Sequence, residues 1–432
     1  MPKAAITFTG CRLNRYEIQT ISESLELCGF EIVPFEDKAD VYIINTCGVT
    51  GKAEVSSRNL IRRARRTGPN AKVIVTGCYS ELKGAEMRGI GADLVVSNDR
   101  KENMRGEIID LLGESAGDIA HEEFSEFGSW IISGMGDLTR GFIKIQEGCD
   151  RKCTYCTIWM SRGEVRSRKA EFIVEEINNL HDNGYKEVVL TGVHIGMYSY
   201  NGMNFSGLLR HLLANTGIPR IRLSSLFPTE VDDKLIELLA TNNRICPHLH
   251  LSVQSGDDSV LEAMGRGYDR VRLIAIIKRL NDSVPKITIG ADIITGFPGE
   301  SEDAFQNSID LVEESGLHHL HVFTFSPRPN TPAAAMEGQI PPEAKKKRTR
   351  ILRGVGRKLK EEHLRRFLGA DLQALFENRV SVRESLLTGI SENYLRIEAV
   401  GPEDLKGEIV DVVPYKINGD ILLSKIVLRE NK

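Results

Sequence analysis

The chain lacks every feature that would take it out of the ordinary globular class. Only eight of its 432 residues are cysteine, far too sparse for a disulfide scaffold. There are two tryptophans, and aromatics make up 6% of the chain. No run of about 18 apolar residues occurs, and the opening MPKAAITFTG carries no apolar leader, so a soluble cytoplasmic protein without a membrane partner is expected. Charge of one sign is missing too: 56 basic against 60 acidic residues leave −4. No global basic field announces nucleic acid, and any such contact must come from a local patch. What is present, 41% hydrophobic and 27% charged residues, is the globular norm and excludes a disordered, collagen-like or coiled-coil chain. At roughly 150 residues per domain the length suggests about three domains. No internal repeat or low-complexity tract interrupts it.

Residues 1–112 alternate short apolar runs (AAITFT, VYIINT, VIVTG, DLVVS) with helical periodicity. Buried strands separated by helices predict a doubly wound parallel sheet. Residues 113–140, rich in Gly, Ser and acids, read as a linker. From 141 to 340 six strand candidates (FIKIQ, EVVLTG, IRLSS, HLHLSVQ, ITIGADII, HLHVFTF) alternate with longer helices, which predicts a parallel partial (βα)6 barrel. Residues 341–370 open on Pro341-Pro342 and form a basic connector helix. From 371 to 432 short alternating strands predict a small all-β barrel. In parallel sheets of both kinds, chemistry sits at the carboxyl ends of the strands.

The sharpest signal follows the first barrel strand: Glu147-Gly-Cys149-Asp-Arg-Lys-Cys153-Thr-Tyr-Cys156, a C-x3-C-x2-C triplet. Three thiolates this close would repel or oxidise if unligated. Structural zinc takes four ligands, and no fourth Cys or His follows nearby. Thiolates suit iron–sulfur clusters, and a cubane held by three leaves one iron open. With Tyr155 before the last cysteine, the triplet resembles the radical S-adenosylmethionine superfamily. The resemblance implies a [4Fe-4S] cluster whose open iron chelates S-adenosylmethionine and, by one-electron cleavage, releases a 5′-deoxyadenosyl radical. Segments at the strand ends resemble those that contact S-adenosylmethionine in the superfamily: Leu190-Thr191-Gly192-Val-His194, Ser252-Val-Gln254-Ser-Gly256 and Ala291-Asp292 through Glu300.

Cys11, Cys47 and Cys78 lie 36 and 31 positions apart but share a context: FTGC, INTC and VTGC. Each ends a β-rich run, so a parallel sheet would bring all three to one edge. Cys28 and Cys246 read as packing residues.

Taken together, these elements resemble the methylthiotransferases over essentially the whole chain. Gly10-Cys11-Arg-Leu-Asn14-Arg-Tyr-Glu17 is similar to the family's opening motif, Asn45-Thr-Cys47 and Thr76-Gly-Cys78 to the next two. Arg162-Gly-Glu-Val-Arg166-Ser-Arg168 resembles its basic loop, with Trp159 standing where Pro or Val is common. His248 to Gly256 followed by Leu261 to Arg266 resembles its fourth-strand signature, and 371–430 its RNA-binding TRAM domain. The resemblance implies that Cys149, Cys153 and Cys156 are catalytic and hold the radical cluster. Cys11, Cys47 and Cys78 would hold a second [4Fe-4S] cluster carrying the sulfur. One S-adenosylmethionine would methylate that sulfur, and another would supply the radical that opens a substrate carbon to it. Tyr155, Thr191, Gly192, Ser252, Gln254, Arg266, Asp292, Arg162 and Arg168 are the implied cofactor-binding residues.

The opening motif is most similar to the branch acting on N6-threonylcarbamoyladenosine at position 37 of tRNA, beside the anticodon. The alternatives are isopentenyladenosine, a ribosomal-protein aspartate, or an iron–sulfur RNA-binding or redox-sensing protein without turnover. The expected partners are the tRNA anticodon stem-loop and an electron donor such as flavodoxin or ferredoxin, with a monomeric enzyme. Local charge fits RNA. Residues 58–72 carry six basic and no acidic residues, and 345–366 carry eleven basic and two acidic. Arg58, Arg62, Arg65 and Arg66 would share a helix face. Residues 371–432 are acidic, eight basic against eleven acidic, so that barrel is expected to add shape or base stacking through residues such as Tyr394.

Overall fold

A computed structural model describes residues 1–112, 126–381 and 386–427, without the side chains of 378–381. Residues 113–125 of the expected linker, 382–385 of the small barrel and the last five residues lie outside the described residues.

Strands β1 (Lys3–Phe8), β2 (Glu31–Val33), β3 (Val41–Thr46), β4 (Lys72–Gly77) and β5 (Leu94–Val95) form an all-parallel sheet in the order β2-β1-β3-β4-β5. The central strand β3 is buried at all six positions because helices cover both faces. Its side chains alternate accordingly: Tyr42 and Ile44 pack on one side with Val73 and Val75, Ile43 on the other with Ala4 and Ile74.

The second layer is built from β6 (Arg140–Glu147), β7 (Arg166–Ser167), β8 (Glu187–Gly192), the hairpin β9 (Ser199–Tyr200) and β10 (Met203–Asn204), β11 (Arg220–Leu223), β12 (His248–Gln254), β13 (Thr288–Thr295) and β14 (His319–Thr324). Six of these run parallel as β6-β8-β11 and β12-β13-β14. The two halves join where the short β11 segment meets β12, through isolated parallel bridges Ile221–Ile245 and Leu226–Leu251. The result is an open half-barrel with helices outside and a continuous core. Residues 126–139 belong to that core rather than hanging free, since Ile132 and Met135 are buried in it.

The connector helix Pro342–Arg365 packs along β14 and ends with Leu364 and Phe367 in the core of the last unit. There β15 (Leu372–Ser381), β16 (Leu386–Ser391), β17 (Arg396–Val400), β18 (Ile409–Asn418) and β19 (Ile421–Ile426) close into a five-stranded barrel. It docks on the amino ends of the half-barrel strands: Arg140 pairs with Glu377 at 2.7 Å, and Arg220 and Arg222 donate to the carbonyls of Gln373, Ser391 and Glu392.

Candidate active site

The parallel sheet delivers three cysteines to one edge. Cys11 caps helix α1 (Arg12–Leu27) after β1, Cys47 follows β3, and Cys78 opens α3 (Cys78–Gly89) directly after β4. Asn14 ties these ends together by donating to the carbonyls of Thr9 (2.8 Å) and Thr46 (3.2 Å), while the Thr46 hydroxyl donates to Thr76 O at 2.7 Å. Gly10 has φ +93°, and a Cβ there would lie 2.5 Å from Cys47 Sγ, so only glycine lets the two loops meet. Burial, with Cys11 and Cys78 adding like charge, pushes the Cys47 thiol up to about 12.

The second trio lies in the loop after β6. The Cys149 amide donates to Gly163 O and that of Cys156 to Cys153 O, while Ile158 N donates to Cys156 Sγ at 3.4 Å. Cys149 Sγ lies 3.6 Å from His194 Nδ1, and His194 Nε2 lies 2.6 Å from Glu230. Arg266 stands 3.3 Å from Cys153 Sγ and 3.3 Å from the Tyr155 hydroxyl, and its other nitrogen holds Ser252. Burial pushes Cys156 up to about 12.

None of the eight cysteines forms a disulfide. Among the described residues, neither trio gathers its three sulfurs within 4.8 Å of one another. A single ion at about 2.3 Å from each sulfur needs them roughly 4 Å apart, so neither trio as it stands is set for a lone metal. Both donor sets, all cysteine sulfur, suit [4Fe-4S] ligation, and only Cys11 among the six is exposed.

Arg162 joins the two trios. It ends the short helix α5 (Ile158–Arg162), six residues after Cys156, and its Nε donates to Cys78 Sγ at 3.1 Å. Its other nitrogens bond Asn14 Oδ1 (2.7 Å), Glu147 (3.0 Å) and Glu17. Lys101 pairs with Glu17 and Lys144 with Glu147, each at 2.7 Å. Despite burial, these cations hold both carboxylates below their usual range. Arg162, expected to bind cofactor or substrate, is engaged at every nitrogen by this network. Arg168, a second expected cofactor contact, is also held by protein groups. It is wholly buried, pairs with Glu176, and donates to the carbonyls of Gly128, Lys144 and Trp130. Such a guanidinium holds the core together. Arg166 lies on the Phe127 ring, 4.4 Å from its centroid.

Beside Cys156 opens a cavity of about 350 Å³. The loop after Cys47 (Val49 to Gly51) forms one wall, and Tyr155, Cys156, Gln254 and Asp292 contribute to the other. Gln254 sits at φ +73°, a left-handed conformation uncommon for a non-glycine residue. Arg328 closes the rim by pairing with Glu54 (2.7 Å) and Val49 O (2.8 Å). Thr191 and Gly192 lie at the end of β8, with Gly192 close against Gln146 O; neither they, Ser252 nor Arg266 line this cavity. Asp292 reaches it with its carboxylate already engaged by His250 at 2.8 Å.

The expected RNA-contacting residues divide. Helix α2 (Gly51–Thr67) leaves Arg62 and Arg66 exposed, but Arg58 is bound to Tyr79 and Glu86, and Arg65 to Asp93. On the connector helix Arg348 is buried against Glu300 and Glu302. A groove of about 310 Å³ lined by Lys346, Arg350, Arg353 and Arg357 shares Thr324 with the cavity. Tyr394 is no free stacking platform. Its hydroxyl accepts from Arg12, and its ring lies 4.3 Å from that of His248 and under Arg222, so it plugs the seam between units.

A parallel half-barrel carrying a cysteine triplet at its carboxyl edge defines the radical S-adenosylmethionine enzymes. Residues 143–312 match the Radical SAM superfamily, and residues 3–97 match the uncharacterized protein family UPF0004. Among solved structures, the radical S-adenosylmethionine methyltransferase TsrM from Kitasatospora setae superposes with a TM-score of 0.60 at 16% identity, covering 77% of this chain and 75% of that one. The cobalamin-dependent enzyme OxsB gives 0.52 at 12% identity, covering 84% and 56%. Both are likenesses of fold. The curated relatives are nearer. The threonylcarbamoyladenosine tRNA methylthiotransferase MtaB of Thermotoga maritima is 36% identical, covering 93% of this chain and 92% of its own length. That of Bacillus subtilis is also 36% identical, covering 95% and 93%. The tRNA-2-methylthio-N(6)-dimethylallyladenosine synthase of Bacillus subtilis is 30% identical, covering 93% and 81%. The chain belongs to the radical S-adenosylmethionine methylthiotransferase family. Its cofactors are S-adenosylmethionine and two [4Fe-4S] clusters.

Proposed function

We propose that the enzyme inserts a methylthio group at carbon 2 of N6-threonylcarbamoyladenosine at position 37 of tRNA, consuming two S-adenosylmethionine per turnover. The observation that carries this reading is the reach of Arg162, on the loop of one cysteine trio, to Cys78 of the other, beside a cavity lined by Cys156 and by the loop after Cys47. Cys149, Cys153 and Cys156 would hold one cluster, and Cys11, Cys47 and Cys78 the other. When bound, the clusters and S-adenosylmethionine supply the radical and the transferable sulfur. The chain supplies position and shelter. Tyr155 and Gln254 wall the space that the cofactor and target base would share, with Thr191, Gly192, Ser252 and Arg266 behind them as the proposed cofactor frame. Arg266 and His194 place donors beside two of the radical-trio sulfurs, and Arg162 beside one of the other trio. Such fixed donors lower the penalty of thiolate charge in a buried site.

Two observations favour the threonylcarbamoyl nucleoside over the dimethylallyl one. Identity is 32–36% to relatives named for the former and 29–30% to those named for the latter. The basic groove beside the cavity also suits a substrate carrying a carboxylate. A small reductant such as flavodoxin or ferredoxin is the proposed electron source, and a monomer the proposed working form. Nucleoside analysis of tRNA from a deletion strain tests the substrate. Loss of the 2-methylthio-threonylcarbamoyl nucleoside is expected; its persistence, with loss of the isopentenyl counterpart, rejects this choice. Failure of the reconstituted protein to form 5′-deoxyadenosine with dithionite and S-adenosylmethionine would return the reading to a non-catalytic iron–sulfur sensor.

A further inference from the structure

The inner face of the half-barrel carries an unusual set of side chains below the cavity. His250 on β12, Asp292 on β13 and His321 on β14 all project to this face. Asp292 and His321 are direct register partners. His250 is opposite Gly290, one inward position earlier than Asp292. A Cβ at Gly290 would lie 2.7 Å from His250 Nδ1 and 2.2 Å from His319 Cε1, so the absence of a side chain there is what lets the imidazoles gather. One carboxylate oxygen, Asp292 Oδ1, lies 2.8 Å from His250 Nε2 and 3.4 Å from His321 Nδ1. The three ligand atoms all lie within 4.8 Å of one another.

We infer that His250, Asp292 and His321 form a binding site for one divalent transition-metal ion of the zinc class, separate from both cysteine trios. Two imidazoles and one carboxylate are the ligand set of open, three-protein-ligand metal sites. An ion about 2.0–2.1 Å from each donor sets neighbouring ligand atoms roughly 3.3 Å apart. The Asp292–His321 distance already meets this, and His250 needs to retreat by about half an ångström. The ion can enter, because the His321 side chain is 57% exposed on the open lip of the barrel. No guanidinium or ammonium pairs with Asp292, whose ion-pair partners among the described residues are these two histidines. Asp292 also lines the cavity, so the ion's remaining coordination positions would face it and could take an oxygen donor from the ligand bound there.

The test uses untagged protein with its iron–sulfur clusters reconstituted, equilibrated anaerobically with zinc alone and then dialysed. One zinc per chain is expected, with zinc-edge X-ray absorption showing nitrogen and oxygen neighbours and no sulfur. His321→Ala, at the exposed lip, and Asp292→Asn should each weaken zinc at least tenfold while iron content and circular dichroism stay unchanged. The inference is overturned if no zinc is retained, if the neighbours are sulfur, or if His321→Ala holds zinc as the parent does. None of these readouts depends on RNA or turnover, so failure here is distinct from failure of the proposed reaction.

Discussion

The guanidinium of Arg162 donates to the sulfur of Cys78 at 3.1 Å, across 84 residues of sequence. One side chain from the loop of the radical trio thereby sits behind a cysteine of the other. Arg162→Ala should do two things. It takes the guanidinium from between Glu17 and Glu147, which keep only Lys101 and Lys144, so stability should fall, by less than the about 3–5 kcal/mol of a wholly unpaired buried charge. It also removes a donor from Cys78, so the resonance spectrum of the second cluster should shift in a background lacking the radical trio. Denaturant unfolding and electron paramagnetic resonance measure the two effects. Arg162→Lys should recover part of the stability but not the spectrum, since an ammonium lacks the fork that reaches sulfur and carboxylates together.

Replacing Cys11, Cys47 and Cys78 together by alanine should halve the iron content. The variant should still cleave S-adenosylmethionine to 5′-deoxyadenosine but transfer no methylthio group. The triple alanine variant at Cys149, Cys153 and Cys156 should also halve the iron and lose both activities. Retention of full iron by either variant would show that the ligands lie elsewhere.

Arg168→Ala separates a structural arginine from a cofactor contact. With Glu176 left unpaired in a fully buried site, stability should fall by about 3–5 kcal/mol. The affinity of the remaining folded protein for S-adenosylmethionine should be unchanged in equilibrium dialysis. A selective loss of cofactor binding at parental stability would contradict the buried role described above.

Changing Arg350 and Arg357 to glutamine should weaken tRNA binding at moderate salt. The slope of log K against log salt should flatten by up to about 2, one for each phosphate no longer neutralised. Arg62 and Arg66, the exposed arginines of α2, should add a further decrement. Arg65→Gln should do little to affinity, because Asp93 already neutralises it. Filter binding across a salt series distinguishes these outcomes.

Much of this architecture can be read in the sequence, for a physical reason. Strand ends in a parallel sheet share an edge, so the repeated β-run-then-cysteine context of Cys11, Cys47 and Cys78 already implies convergence. The partners of charged residues are harder to read. Glu17 and Arg162 meet across 145 positions, and nothing in a basic loop marks which arginine turns inward; Arg162, Arg166 and Arg168 go to three different environments. Asn14 and Glu17 do stand in the opening motif, three and six residues after Cys11, where helical spacing points them back toward the cysteine edge. Tyr394 misleads for a similar reason. An aromatic on a small barrel looks like a stacking platform until the seam that covers it is known. The His-Leu-His-Leu run of β12 is legible once read with period two, since it sets His248 and His250 on the same face.

The connector helix has 24 residues, or about 36 Å at 1.5 Å per residue. It begins near the mouth of the half-barrel and ends inside the terminal barrel, which is pinned to the far end by Arg140, Arg220 and Arg222. The spacing between catalytic mouth and outlying module is thus fixed by a stiff rod rather than by a tether. A nucleic acid that touched both would have to match that span, and lengthening the rod by one turn would then mis-set the gauge.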